Sequence, residues 1–243
     1  MLRVSQPPVL RNDTFEKLLT NSFVKNEEHL VKNVWKKADA VCFDMDDTVA
    51  VGDSNAEIAE FLGFGDIAKA TQTAMNAIHK PLSLDIMDRF DRMRPSRQQL
   101  NTFLNQRSLR ITSGAKPLIK LLHAQGKEVF LLTSGFYEMA FPVAELLGIS
   151  RENVFANSLL FDATGQYLGV ETSVTKGDVI TRLKRENRYE NVVMIGDGTN
   201  DLMACPPAEA FVGFGGNQVR PNVLAAAKWY VMDFETLQRE IEN

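Results

Sequence analysis

Residues 40–48 have the sequence Ala-Val-Cys-Phe-Asp-Met-Asp-Asp-Thr, and this stretch decides the predicted fold. Four apolar residues followed by a polar turn are typical of a buried strand. Asp44 and Asp46 then stand two residues apart where that strand ends. Two buried carboxylates so close together repel each other unless a cation, hydrogen bonds or a shared proton compensates. Taken alone, the pattern also fits a strand end whose acids cap the next helix or face water.

The composition indicates a chain that can bury a large core, since 44% of its 243 residues are hydrophobic. The net charge of -4, with no block of Lys and Arg, argues against a nucleic acid or an anionic membrane as partner and favours a small polar ligand. No run reaches the ~20 apolar residues of a membrane span, and the N-terminus lacks the apolar core of a secretory signal.

Cysteine and histidine usage favours a cytoplasmic protein without a zinc site. Cys42 and Cys205 do not suffice for a disulfide framework, so we expect two reduced thiols, which suits the cytosol. The three histidines show no ligand spacing. Residues 1–12 carry Arg3 and Arg11 and no acid, which leaves organellar targeting open.

The stretch after Thr48 has helical periodicity only, and we expect a small inserted domain there. Apolar residues recur at helical spacing in four segments, 58–62, 67–75, 82–93 and 100–104. Gly63, Pro81 and Pro95 separate them, and Ser96 with Gln99 is typical of a capping box. Because no strand pattern occurs between Asp53 and Ile111, the sequence predicts a helical second domain.

From Ser113 onwards helices and strands alternate, which predicts βαβ units, a parallel sheet and helices on both faces. Expected helices are 115–124, 137–147, 176–184, 219–227 and 234–242. Expected strands are 128–132, 154–157, 191–195, 210–214 and 229–231, with a hairpin of 159–161 and 166–168. Ligands of such α/β folds bind at the carboxyl ends of the strands.

Polar residues collect at those strand ends. Thr133-Ser134-Gly135 follows the second strand, Gly196-Asp197-Gly198-Thr199-Asn200-Asp201 follows the fourth, and Lys176 begins the helix between the third and the fourth. Carboxylates there suit Mg²⁺, and a lysine with a hydroxyl suits phosphate oxygens. Each residue could instead have a purely structural role: Thr133 as a helix cap, Asp197 as a turn residue and Lys176 as a solvated helix residue.

These residues resemble the four motifs of the haloacid dehalogenase-like phosphohydrolases. Further segments resemble the eukaryotic phosphoserine phosphatases; they are 41–44, 154–157, 194–198, 204–208, 213–217 and 227–230. The resemblance covers roughly residues 36–243. It implies an α/β fold with a Rossmann-like three-layer core of 36–52 and 112–243, a helical cap domain of 53–111 and an N-terminal extension of 1–35.

The resemblance also implies roles for the residues at the strand ends. Asp44 would be the nucleophile that forms an aspartyl-phosphate, and Asp46 the general acid and then the general base. Mg²⁺ would be held by Asp44, the backbone carbonyl of Asp46 and Asp197, supported by Asp201. Thr133 and Lys176 would bind the phosphoryl group together with backbone N–H groups near Gly135, and Ser134 and Asn200 are expected among the substrate-binding residues.

Substrate selection is expected from the cap. Asp53 aligns with the acid that meets a substrate amine, one methylene shorter than the usual Glu, and Arg89 aligns with the arginine that binds a carboxylate. This alignment excludes the neighbouring Arg92, Arg94 and Arg97 from binding the carboxylate. The alternative is that Arg89 is an ordinary surface residue of a helix. Met75 is expected as an apolar cap contact or as helix core.

The leading hypothesis is Mg²⁺-dependent hydrolysis of O-phospho-L-serine to L-serine and phosphate, the last step of serine biosynthesis, by a monomer or homodimer. The alternative is a related phosphatase or phosphotransferase for another small amine phosphomonoester, because Asp47, Asp53, Ser134 and Asn76-Ala77 depart from the family pattern. A catalytically silent binding or scaffold protein is a third hypothesis, and the intact acids with Lys176 argue against it.

Overall fold

The computed structural model describes residues 26–74, 82–172 and 175–242. The prediction for Met75 and the substitution at Asn76-Ala77 fall outside these ranges, as does most of the N-terminal extension. Within the described ranges, no helix has both the length and the apolar character needed to span a membrane.

The described residues form a mixed sheet of seven strands in the order β4-β3-β2-β1-β5-β6-β7. The strands are β1 Ala40–Phe43, β2 Glu128–Phe136, β3 Val154–Phe161, β4 Tyr167–Glu171, β5 Val192–Gly196, β6 Ala210–Phe214 and β7 Trp229–Val231. Neighbouring strands are parallel except β3 and β4, which pair antiparallel. Because β1 lies between β2 and β5, the carboxyl ends of these three strands meet at one edge.

Helices cover both faces of the sheet, as the alternating pattern predicted. They are α1 over 26–36, α2 Ser54–Phe61, α3 Gly65–Ala74, α4 Leu82–Met93, α5 Arg97–Gln106, α6 Ala115–Ala124, α7 Tyr137–Leu147, α8 Lys176–Asn187, α9 Thr199–Leu202, α10 Pro221–Ala226 and α11 Phe234–Glu242. The three-layer α/β fold expected for the core is therefore confirmed.

Side chains of β1 alternate between two separate apolar clusters, since successive strand residues point to opposite faces. Val41 and Phe43 pack in the larger cluster, which includes residues of α6, α7 and α11. Cys42 packs in the smaller cluster with residues of α8 such as Ile180. The strand is buried on both faces, and this fixes the position of the acids that follow it.

The chain between β1 and α6 contains helices α2 to α5 and no named strand among its described residues. The predicted capping box at the start of α5 is confirmed, with Ser96 and Gln99 bonded reciprocally. Phe90 of α4 packs against Phe136 at the end of β2, with ring centroids 4.4 Å apart. That these helices form a separate domain stays a prediction.

Several predicted boundaries were wrong, including the following three. Strand β2 continues through Thr133-Ser134-Gly135 to Phe136, with a register shift against β3 after Leu132. Strand β3 is one continuous strand over 154–161, because its first half pairs with β2 and its second half with β4. Helix α10 begins at Pro221, since Arg220 has an extended backbone and proline favours the first helical position.

Candidate active site

Three buried aspartates meet where β1 and β5 end. Asp44 follows β1, Asp197 follows β5 and Asp201 lies in α9, and one carboxylate oxygen from each lies within 4.8 Å of the other two. The backbone N–H of Asp44 donates to the carbonyl of Ile195 at 2.9 Å, which continues the pairing of the two strands. The backbone N–H of Gly198 donates to Oδ2 of Asp201 at 2.9 Å and so orients that side chain.

Lys176 is a buried cation that contacts two of these three aspartates. It is the first residue of α8, directly after the N-cap Thr175, whose hydroxyl accepts from the N–H of Asp178. Its Nζ donates to Oδ1 of Asp201 at 2.6 Å and also to Oδ1 of Asp44. Burial lowers the pKa of Lys176, but the two carboxylates outweigh burial and leave that pKa raised. Lys176 therefore stays charged between two acids.

Asp46 is held by Ser54, the first residue of α2. The backbone N–H of Ser54 donates to Oδ1 of Asp46 at 2.8 Å, and its hydroxyl donates to Oδ2 at 3.1 Å. Burial raises the pKa of Asp46 well above its usual range, and the nearby charges of Asp53 and Asp44 add to this effect. A carboxyl group with a raised pKa is suited to hold and deliver a proton.

The predicted phosphoryl-binding residues adjoin these acids. The hydroxyl of Thr133 accepts from the backbone N–H of Gly135 at 2.8 Å. A Cβ on Gly135 would lie 3.4 Å from Oδ2 of Asp46, so the backbone there lies next to the acid. The hydroxyl of Ser134 accepts from the side-chain amide of Asn200 at 3.2 Å. The end of β2 and the start of α9 therefore border one small region.

The two predicted cap residues are both buried but have different partners. Asp53 is the N-cap of α2, and its Oδ1 accepts from the N–H of Ala56 at 2.9 Å. Burial raises the pKa of Asp53. Arg89 is 8% exposed and forms an ion pair with Asp85, one turn earlier in α4.

The three arginines that were excluded from substrate binding have other contacts. The side chain of Arg92 is 61% exposed and pairs with Asp66 at 2.9 Å. Arg94 donates to the carbonyl of Tyr167 at 3.3 Å. The guanidinium of Arg97 lies 4.4 Å from the ring centroid of Phe161. These contacts direct Arg94 and Arg97 towards β4 and β3.

Sequence reasoning missed Ser54 and Arg220. Arg220 follows β6 and is 3% exposed, and its Nε donates to Oδ2 of Asp197 at 2.6 Å. The hydroxyl of Thr48 donates to Oδ1 of the same carboxylate at 3.2 Å. Arg220 lies six residues after Phe214, where β6 ends, so the strand-end rule that selected Asp197 does not select it. Ser54 has no sequence signal either, because its partner is determined by the turn between β1 and α2.

Asp47, the acid that departs from the family pattern, pairs with Arg220. Its Oδ2 lies 3.4 Å from Nη2 of Arg220, and its Oδ1 accepts from the N–H of Gly52 at 3.2 Å. Burial raises the pKa of Asp47, and Arg220 opposes that shift. The extra acid is thus matched with a cation.

The aspartate cluster fits a divalent cation. Burial, together with the charge of Asp44, raises the pKa of Asp197 well above its usual range and the pKa of Asp201 to about 7. Lys176 and Arg220 supply two positive charges, fewer than the acids they contact. Carboxylate oxygens are hard ligands, and a divalent cation would relieve their repulsion.

Comparison with known proteins agrees with the motifs. The haloacid dehalogenase-like hydrolase family profile matches residues 41–205. Phosphoserine phosphatase of Homo sapiens is 38% identical over 220 residues, which cover 88% of this chain and 97% of the human protein.

Two solved structures have the same fold. The structure of DsGPDH of Dunaliella salina is 34% identical, with a TM-score of 0.76, and covers 87% of this chain and 37% of that one. A phospho-aspartyl intermediate analogue of phosphoserine phosphatase is 23% identical, with a TM-score of 0.73, and covers 84% of this chain and 99% of that one. The resemblance found in the motifs is confirmed: the chain belongs to the haloacid dehalogenase-like hydrolases and, within them, to the phosphoserine phosphatase family.

Proposed function

We propose that this protein hydrolyses O-phospho-L-serine to L-serine and phosphate, the last step of serine biosynthesis, with Mg²⁺ as cofactor. One observation carries the proposal: Asp44, which follows the central strand and precedes Asp46 by two residues, lies beside Lys176, Asp197 and Asp201. This arrangement occurs in a chain with 38% identity to human phosphoserine phosphatase.

Asp44 and Asp46 divide the chemistry in this proposal. A carboxylate oxygen of Asp44 attacks phosphorus, a P–O bond forms and the bond to the serine oxygen breaks, while Asp46 gives its proton to that oxygen. Water then attacks phosphorus, its proton passes to Asp46, and the bond to Asp44 breaks. The raised pKa of Asp46 supports its role as the first proton donor.

The remaining residues bind and orient the phosphoryl group. Lys176 neutralises phosphate oxygens, the Thr133 hydroxyl and the N–H groups near Gly135 donate to them, and Ser134 with Asn200 borders the same region. Mg²⁺ held by Asp44, the Asp46 carbonyl, Asp197 and Asp201 would neutralise charge on the phosphoryl oxygens.

Specificity for serine is assigned to the proposed cap domain of 53–111. Asp53 would meet the amine and Arg89 the carboxylate, and both side chains are buried. Closure of this cap over the strand ends would exclude water during phosphoryl transfer. Met75 stays a predicted cap contact outside the described residues.

A second candidate substrate class is another small amine phosphomonoester. The observation in its favour is that Oδ1 of Asp53 is already bonded to the N–H of Ala56, which caps α2. Asp is also shorter than Glu, so its free oxygen reaches less far towards a substrate amine.

The test is turnover with Mg²⁺ on phosphoserine, phosphothreonine, phosphoethanolamine and a sugar phosphate, with Asp44→Asn as the inactive control. We expect the highest kcat/KM for phosphoserine and no turnover by the variant. Preference for phosphoethanolamine would support the second candidate. Unchanged activity of Asp44→Asn would refute the nucleophile and the mechanism together.

We also propose a cytoplasmic monomer or homodimer that acts on a small molecule and binds neither nucleic acid nor membranes. The net charge of -4 and the free thiols of Cys42 and Cys205 support this. Light scattering after size exclusion gives the oligomeric state, and fractionation of the source cells gives the location.

A further inference from the structure

A buried arginine connects Asp197 with an acid that the proposed reaction does not use. Arg220 is 3% exposed and donates through Nε to Oδ2 of Asp197 at 2.6 Å. Its Nη2 lies 3.4 Å from Oδ2 of Asp47. The three side chains therefore form a row in which one guanidinium contacts two acids, one of them a predicted metal ligand.

The backbone holds Asp47 in this row. Its φ of 53° lies in the left-handed region, where Asp and Asn are enriched among the residues other than glycine. The N–H of Asp47 donates to the carbonyl of Gly52 at 3.1 Å, and the N–H of Gly52 donates back to Oδ1 of Asp47 at 3.2 Å. The side chain of Asn217 donates to the carbonyl of Asp47 at 3.2 Å. Asp47 is thus oriented independently of Arg220.

Arg220 has two opposite effects on Asp197. Its hydrogen bond, together with the one from Thr48, fixes the orientation of the carboxylate. Its positive charge, however, repels a divalent cation at the same carboxylate. Asp47 offsets that charge, since both acids share one guanidinium.

We propose that Asp47 and Arg220 are positioning residues for the metal site. Arg220 orients Asp197, and Asp47 neutralises Arg220 so that Asp197 keeps its affinity for a divalent cation. The inference rests on the metal site of the proposed function and adds two residues outside the ligand set proposed for Mg²⁺ and the substrate.

Metal affinity of the full-length, metal-free protein tests this, measured by calorimetric titration with MgCl₂. Asp47→Asn keeps the shape of the side chain and tolerates the left-handed backbone, so charge is the main change. We expect its Kd for Mg²⁺ to rise about tenfold, the lower end for partners of metal ligands. The matched control is Asp66→Asn, which removes a 67% exposed charge and should leave Kd unchanged.

Arg220→Lys is the second variant, and it tests the same effect on Mg²⁺ affinity if Asp47→Asn does not fold. Lysine keeps the charge but cannot reach both acids with a planar fork, so Kd should again rise about tenfold. A merely structural role would lower the melting temperature of either variant and leave Kd unchanged, which would overturn the proposal. Absence of Mg²⁺ binding by the unmodified protein would overturn the metal site itself, and the inference with it.

Discussion

Lys176 and Asp201 form a buried ion pair between two helices, with Nζ 2.6 Å from Oδ1. The same Nζ contacts Asp44, so one ammonium group serves both the predicted nucleophile and a predicted metal ligand. The cation therefore separates two carboxylates that would otherwise repel each other. Removing one partner of a buried ion pair leaves an uncompensated charge, which is far costlier than losing an exposed pair.

Lys176→Met should lower kcat/KM for phosphomonoesters by about 10²–10³-fold, because a preorganised positive charge at the phosphoryl group is lost. Steady-state kinetics measures the loss, and circular dichroism checks the fold. The control is Lys116→Met at an exposed lysine of α6. Equal loss in both variants would contradict the special role of Lys176.

Ser54→Ala should lower kcat about tenfold with little change in KM. The change removes the hydroxyl bond to Oδ2 of Asp46 and keeps the backbone bond to Oδ1. A hydrogen bond to a charged group contributes roughly 1.5 kcal/mol, which corresponds to about one order of magnitude. Ser150→Ala, at an exposed serine, is the control. A Ser54 variant with normal kcat would show that Asp46 needs only the backbone N–H.

The central part of the site could be predicted because it depends on local rules. Buried strands have recognisable apolar runs, and parallel strands bring their carboxyl ends to one edge. Asp44, Asp197 and Lys176 each stand next to such an element, and the structure brings them together. Their spacing along the chain did not matter, since the sheet determines their proximity.

Other features depend on tertiary contacts that no local pattern carries. The continuation of β2 to Phe136 results from its pairing with β3, although Gly135 is typical of a turn. The partner of Asp47 is Arg220, and only the position of β6 in the sheet reveals it. Asp47 could therefore be recognised in the sequence as unusual but not explained.

Arg89→Ala should raise KM for phosphoserine about tenfold or more and leave KM for phosphoethanolamine unchanged. The reason is that only phosphoserine has a carboxylate to pair with the guanidinium, and charged hydrogen bonds contribute roughly 1.5–3 kcal/mol. Arg92→Ala is the matched control in the same helix, since Arg92 is mostly exposed and pairs with Asp66. If both substrates or both variants respond alike, the assignment of Arg89 is wrong.

The two cysteines should differ sharply in reactivity towards a thiol reagent at pH 8. Cys42 is fully buried in β1, and burial raises the pKa of its thiol to about 12. Cys205 is partly exposed, and burial raises the pKa of its thiol as well. Because the thiolate is the reactive form, we expect slow labelling of Cys205 and none of Cys42.

Mass spectrometry of the native protein should therefore find at most one label, and Cys205→Ser should abolish it. Both thiols should react after unfolding in guanidinium. Cys42 lies two residues before Asp44 in the central strand, so its protection also reports whether that strand stays closed beside the nucleophile. Rapid labelling of Cys42 in the native Cys205→Ser variant would mean that β1 opens readily, contrary to its burial on both faces of the sheet.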